Sequence, residues 1–216
     1  MAKIASLLQI PTRSTTTHPT STEVEEVINR AEDRIDSVTG HAWRTRYSGT
    51  TTGQDTTQHE VLIDVAFNYK YQSGIPVYLP NRKIKTLSAS DGDELKYWTG
   101  SEYETWLGVK TEGRGNDFWV DYERGIVFLR TYLYTRKPMG LKIKYRYGET
   151  YVPYDIENIC TKMAAIDILA GMDARAMIVQ ENSPTMTHNQ RIDLWSKEVE
   201  KELQRYKEFV SPIRNY

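Results

Sequence analysis

At 216 residues, with 39% apolar and 26% charged residues and a net charge of −1, the chain has the balance of a globular protein long enough for one large core or two modest ones. Near-neutrality gives no support to a role dominated by polyanion binding, and the single cysteine, Cys160, excludes a disulfide framework. No apolar run approaches bilayer-spanning length, and the opening run to Pro11, broken by Ser6 and Gln9, is too short for a signal sequence, so a cytoplasmic origin is expected.

Residues 1–20 read as an arm, because Thr12 to Thr22 is polar, β-branched and contains Pro19. Ile4, Leu7, Leu8 and Ile10 either belong to a frayed terminus or anchor the arm to a neighbour. A helix follows. Thr22 and Glu25 have capping-box spacing, Val24, Val27, Ile28, Ala31, Ile35 and Val38 recur every three or four residues, and Gly40 supplies the stop. Residues 21–43 carry six acids against two arginines, so the outer face is acidic: either solvated or meeting a basic neighbour. Trp43, just past the stop, is placed to cover the helix end.

From Arg44 to Tyr147 the period changes to two and Tyr, Trp, Val and Thr accumulate, which is sheet chemistry. The predicted strands are 58–64, 75–79, 83–88, 94–98, 103–106, 117–121, 125–130 and 140–147, with turns at Ser73-Gly74, Pro80-Asn81, Asp91-Gly92, Thr99-Gly100, Gly113 to Gly115, Arg124-Gly125 and Pro138 to Gly140. Residues 48–57 read as an exposed loop. Short, regular spacing predicts antiparallel hairpins in a small barrel or sandwich.

The second helix opens at Pro153, with Asp155 and Glu157 near its positive end, and closes at Gly171. Its apolar residues, from Ile156 to Ala170, cover most of its circumference, so other elements must surround it. Asn182-Ser-Pro184 breaks the helical path. Thr187 and Gln190 form a second capping box, and Ile192, Trp195, Val199, Leu203, Tyr206 and Val210 line one stripe of a last helix. The expected fold is therefore α+β: a bundle of three main helices with a large antiparallel β-barrel or sandwich inserted between the first and second. The domains are an arm, 1–20; a helical domain, 21–43 with 149–210; an inserted β domain, 44–148; and a tail, 211–216. The ends of the insertion should lie close in space.

Catalytic chemistry finds little footing. His18, His41, His59 and His188 are scattered, with neither the i, i+4 partner nor the cysteine companion of a metal site. Asp91-Gly-Asp93 with Glu94 resembles a fragment of a calcium loop, but the remaining ligand spacing is missing and a turn explains it better. Cys160 lies on an apolar helix, where a reduced, buried thiol is the ordinary state. Neither an enzyme nor a cofactor or metal is expected. The β region holds Trp98, Trp106 and Trp119 with Tyr97, Tyr103, Tyr122, Tyr132 and Tyr134, which suit a sugar platform or partner surface, or, more commonly, cross-strand pairs and core. Arg82, Lys83, Lys85, Arg136 and Lys137 lie at turns; if these converge, weak sequence-independent phosphate contacts follow.

Several stretches carry a family resemblance: Ala31 to Gly40 ending in Trp43-Arg44, the Gly125-Ile-Val-Phe-Leu129 strand, Lys142 to Gly148, and the Val152-Pro-Tyr-Asp-Ile156 helix start. Together they resemble tailed-bacteriophage head-to-tail connectors of the adaptor or head-completion class, over most of residues 22–171. The β insertion is larger than in the minimal all-helical adaptors. The resemblance implies a homo-oligomeric ring of about twelve subunits in the virion neck, docked under the portal protein and meeting the next connector, stopper or tail-terminator. Genomic DNA would make transient contact in the lumen, and no membrane is involved. On this reading Phe209, Val210, Ile213, Arg214 and Tyr216 of the tail reach the portal, and Arg82, Lys83, Lys85, Arg136 and Lys137 are the channel contacts. The rival expectation is a carbohydrate- or receptor-binding module of a virion tail that uses the aromatics of the β region.

Overall fold

A computed structural model describes residues 20–50, 55–65, 74–130, 136–171 and 188–207, with the backbone alone for His188. The arm, the Asn182-Ser-Pro184 break, the Thr187 cap and the tail with Phe209, Val210, Ile213, Arg214 and Tyr216 fall outside the described residues. The chain is α+β and divides into two compact units, one ending at Trp43 and resuming at Val152, the other Arg44–Tyr151.

The first unit is built on three helices: α1 (Ser21–Thr39), α2 (Tyr154–Ala170) and α3 (His188–Tyr206). The capping box of α1 lies two residues earlier than the sequence suggests. Thr20, not Thr22, is the cap: its hydroxyl accepts from the Glu23 amide at 3.3 Å while its own amide donates to Glu23 at 2.6 Å. Both Thr20/Glu23 and Thr22/Glu25 fit the capping pattern, and the earlier frame gains helical bonds with an equivalent cap. Gly40 ends the helix in the left-handed conformation, φ 70°, as its position requires. Trp43 then folds over the end, its indole donating to Thr39 Oγ1 at 2.9 Å and its amide to Asp36 at 3.2 Å.

α2 packs against both α1 and α3, which touch each other far less. Ile156, Ile159, Met163, Ala164, Ala165, Ile168 and Leu169 are buried on it, Val24, Val27, Ala31 and Ile35 on α1, and Val199 and Leu203 on α3, all in one core. The three amphipathic segments therefore coalesce, although more than a hundred residues separate α1 from α2. Cys160 is half-buried in this core, with its thiol 3.9 Å from the Ile28 carbonyl. At one end the Tyr206 hydroxyl donates to Asp155 at 3.0 Å, and the Tyr206 ring meets Trp43 edge-on at 5.3 Å.

The second unit contains β1 (Arg46–Tyr47), β2 (Val61–Val65), β3 (Ile75–Tyr78), β4 (Glu94–Trp98), β5 (Tyr103–Thr105), β6 (Phe118–Asp121), β7 (Ile126–Leu129), β8 (Lys137–Lys144) and β9 (Arg146–Tyr147). All named pairs are antiparallel. β2-β8-β4-β5 form one sheet, β3-β7-β6 a second, and β1 pairs with β9. The two larger sheets share one core, in which Val65, Leu95, Leu141, Ile143, Val127 and Leu129 are fully buried. This is sandwich packing, with alternation setting the inward rows.

Three details depart from the sequence expectation. The predicted strand 83–88 reduces to a single bridge from Ile84 to Tyr147, because β9 offers two residues before Gly148 turns away at φ 92°; a 3₁₀ turn, Ala89–Asp91, follows. The predicted turn Pro138 to Gly140 is instead a bulge within β8. Ile63 pairs with Leu141 and Val65 with Lys137, leaving extra residues opposite Asp64, where Met139 takes φ 49° and donates its amide to Asp64 at 2.9 Å. Proline cannot donate to a ladder, and a bulge is where a strand tolerates it. Finally, Ser48 is no exposed loop residue but is fully buried. Its hydroxyl donates to His59 O at 2.8 Å and accepts from the Tyr145 amide at 3.1 Å, so it continues the β1–β9 closure.

Gly125 turns β6 into β7 at φ 68°, and a Cβ there would stand 2.0 Å from the Asn81 carbonyl oxygen. Gly115 has open space and no left-handed φ. Gly125→Ala is expected to destabilise the β unit by roughly 3 kcal/mol through the clash added to backbone strain, and Gly115→Ala to stay within ~0.5 kcal/mol. Urea titration followed by tryptophan fluorescence distinguishes the two variants; equal midpoints would contradict the tight Asn81 approach.

Candidate interaction surfaces

Among the described residues no group of His, Cys, Asp or Glu side chains could hold a metal ion. His41 is buried against Trp43, ring centroids 4.4 Å apart, and His59 lies 2.8 Å from Asp55. The Asp91-Gly-Asp93 segment is bound to an arginine. Arg146 reaches Asp91 at 2.7 Å and Asp93 at 3.1 Å, Gln58 donates to Asp93 at 2.5 Å, and the Ser88 amide donates to it at 2.9 Å. Asp93 is 2% exposed, so its charge is tolerable only because this arginine and these donors surround it.

The five cations singled out from sequence form two groups. Ile84 bridges Tyr147, and Lys85 donates its amide to Arg146 O, which places Arg82, Lys83 and Lys85 beside β9. Arg136 and Lys137 stand at the start of β8, so the groups lie at opposite ends of one continuous strand path, on the order of 25 Å apart. They do not form one patch. Lys83 pairs with Glu123 at 3.0 Å and Glu149 at 3.7 Å. Lys85 donates to Thr150 at 2.6 Å, and desolvation pulls its pKa down. Arg136 pairs with Asp64, while Lys137 donates to Trp98 O at 2.9 Å and Thr99 O at 3.1 Å and lies 4.8 Å from the Tyr97 ring centre. Arg82 is exposed.

The aromatic residues are cross-strand pairs and core. Tyr97 and Trp106 are buried with ring centroids 5.1 Å apart, and Trp98 lies against Tyr103 at 5.0 Å. Trp119 stacks on Phe128 at 3.8 Å with an interplanar angle of 3°, and the Arg114 guanidinium also lies against the indole, 4.9 Å from its centre. Tyr132 and Tyr134 fall outside the described residues.

Two surfaces escaped the sequence reading. On the outer face of β4 and β8, Lys96 pairs directly opposite Lys142, a repulsive register that Glu94 and Glu60 neutralise. Glu94 accepts from Lys96 at 2.6 Å and Lys144 at 2.9 Å, and Glu60 pairs with Lys142 at 2.6 Å. In the helical unit, Val152 and Tyr154 are 46% and 66% exposed at the start of α2, next to the Asp155–Tyr206 bond. Sequence spacing carries no sign of either, because cross-strand partners and helix-end neighbours are set by tertiary register.

No protein-family model matches the chain, and no curated protein matches its sequence. One solved structure similar to it, a chain in the neck of an empty GTA particle computed with C6 symmetry, is 12% identical, with 90% of this chain and 87% of that chain covered and a TM-score of 0.45.

Two outcomes follow from these charges. The bonds from Lys96 and then Lys144 hold the Glu94 pKa below its ordinary value. A carboxyl depressed on folding contributes stability that is complete at neutral pH and is lost as pH falls through the folded value. The β unit should therefore lose stability on acidification through the carboxylate range, with a shallower slope in Glu94→Gln, measured by denaturation across pH. Arg146→Met leaves Asp93 buried without its cation and is expected to cost about 3–5 kcal/mol; a variant as stable as the parent would contradict the network.

Proposed function

We propose that this chain is a structural component of a phage-type neck, a head-to-tail connector (adaptor) whose copies form a ring of about twelve beneath the portal. The ring extends the DNA channel and gives the next neck or tail protein its docking platform. One observation supports this reading: a three-helix unit is built from segments on both sides of a self-contained β unit, and each stretch that resembles the connector family falls in a defined element of one unit or the other. Ala31 to Trp43 forms the capped end of α1, Gly125 leads into β7, Lys142 to Gly148 completes β8 and β9, and Val152 to Ile156 starts α2. The role is non-enzymatic.

Within this reading Phe209, Val210, Ile213, Arg214 and Tyr216 dock on the portal, and Arg82, Lys83, Lys85, Arg136 and Lys137 make the lumen contacts. Four of those five cations already have acceptors in their own unit, which suits a wall along which DNA slides without being held. The rival sugar-binding reading requires an aromatic face open to a ligand, whereas Trp119 has one face taken by Phe128.

Co-expression with the portal protein from the same genome, followed by native mass measurement, tests the proposal. The expected species is a portal with a second ring of this chain, and deletion of residues 209–216 is expected to abolish docking. Undiminished docking of the deletion removes the tail assignment. A stable compact dimer that ignores the portal, or selective retention on a glycan array, removes the connector reading itself.

A further inference from the structure

The two larger sheets of the β unit differ in what they turn outward. In β3-β7-β6 the side chains of Ile75, Val77, Phe118, Val120, Val127 and Leu129 are buried in the shared core. Alternation points the residues between them away from it. Register assembles these into two cross-strand rungs, Pro76–Phe128–Trp119 and Tyr78–Ile126–Asp121, of which only Asp121 is polar. An antiparallel sheet with one face on a core ordinarily carries polar residues on the other. The outer face of β4 and β8 obeys that rule, with Lys96 paired to Glu94 and Lys142 to Glu60; the outer face of β3-β7-β6 does not, and Tyr78 on it is 44% exposed. Trp119 is stacked on Phe128 and overlain by the Arg114 guanidinium. The indole therefore offers no open ring face to a sugar or a base, and apolar side chains of a protein are the partner that fits.

The chain carries a second exposed apolar surface. Tyr151 at 85%, Val152 at 46% and the exposed Pro153 are consecutive at the entry to α2, and a run of exposed apolar residues is retained where it has a use. The charges beside the two surfaces are opposite. Arg114 is exposed over Trp119, and Arg124 is exposed at the β6–β7 turn, its guanidinium 4.0 Å from Asp121. Asp155, which accepts from Tyr206, is exposed two residues beyond Pro153.

We propose that the outward face of β3-β7-β6 is covered by a second copy of this chain, whose Tyr151, Val152 and Pro153 seat on Tyr78, Ile126 and Phe128 with its Asp155 toward the two arginines. The surfaces are different patches of one chain, so the contact is heterologous. Each copy offers one surface and receives the other, and repetition gives a ring or an open filament. The contact stands on these residues; its use between neighbouring copies of a neck ring rests on the connector reading.

The test uses the full chain without portal, in sedimentation velocity from micromolar to millimolar concentration. The parent should associate reversibly and progressively. Tyr78→Glu blocks the sheet face, and Tyr151→Asp/Val152→Asp blocks the other surface; these sites are exposed, so circular dichroism should match the parent. Each variant alone should associate about tenfold more weakly than the parent. Mixed one to one, the two variants should form a dimer and nothing larger, because one intact surface of each kind remains. Tyr78→Ser, a milder change, should weaken association in the same direction and covers the case in which the glutamate disturbs the sheet. A parent that stays monomeric throughout, undiminished association of either blocked variant, or a mixture no larger than its parts overturns the contact. Association lost in Tyr78→Glu but kept in the double variant marks face-to-face pairing of two sheets and overturns it equally. Portal docking of the parent is read separately, so its failure removes the connector role and leaves the contact to the sedimentation result.

Discussion

The rest of the architecture depends on a two-residue ladder. β1 and β9 place Arg46 opposite Tyr147 and Tyr47 opposite Arg146, and Ser48 extends the closure by bonding to both Tyr145 and His59. Because these residues are the first and last ordered pairings of the β unit, the chain enters and leaves that unit at neighbouring points. A helix interrupted by about a hundred residues can resume a common core only if the interruption closes on itself in this way. The loop-closure entropy of the insertion is then borne inside the β unit by its own sheets, and α1, α2 and α3 meet at the cost of a short connection.

The same closure explains where the charge of the β unit goes. Arg146 is itself part of that ladder, opposite Tyr47, and it carries the buried Asp93 and the neighbouring Asp91. The 3₁₀ turn is thereby fastened to the closing strand, so the segment that resembles part of a calcium loop is neutralised by a cation from across the sheet. A buried carboxylate held by arginine, glutamine and a backbone amide is a structural device, and among the described residues no group of His, Cys, Asp or Glu could hold a metal ion.

Much of the fold was legible because each signal was local. The 3.6-residue stripes of α1 and α3, the all-round apolar surface of α2, Gly40 as a stop and the alternation in β4, β6 and β7 depend only on neighbours along the chain. The signals that failed have an equally physical reason. Thr20 and Thr22 both fit a capping box, and the choice rests on how far helix growth extends. Pro138-Met-Gly140 has turn composition, but the register of β2 against β8 makes it a bulge. Residues 83–88 have strand composition without a partner long enough to pair them. The β1 clamp was invisible, since two residues carry no periodicity and their pairing is set by a segment a hundred positions away.

Cations illustrate the same limit and lead to the main point about the surface. A sequence counts positive side chains but does not show their acceptors. Lys83, Lys85, Arg136 and Lys137 looked like an available basic set, yet each is engaged within the β unit, and Lys96 and Lys142 face each other with Glu94 and Glu60 between them. Sixteen basic against thirteen acidic residues over 44–150 therefore describes a lobe whose charge is mostly paired internally. Such a lobe presents a weak field over its surface, and a weak field is compatible with a polyanion moving past and poorly suited to one being retained. The helical unit differs: its exposed large apolar side chains at the start of α2, Val152 and Tyr154, carry no charge.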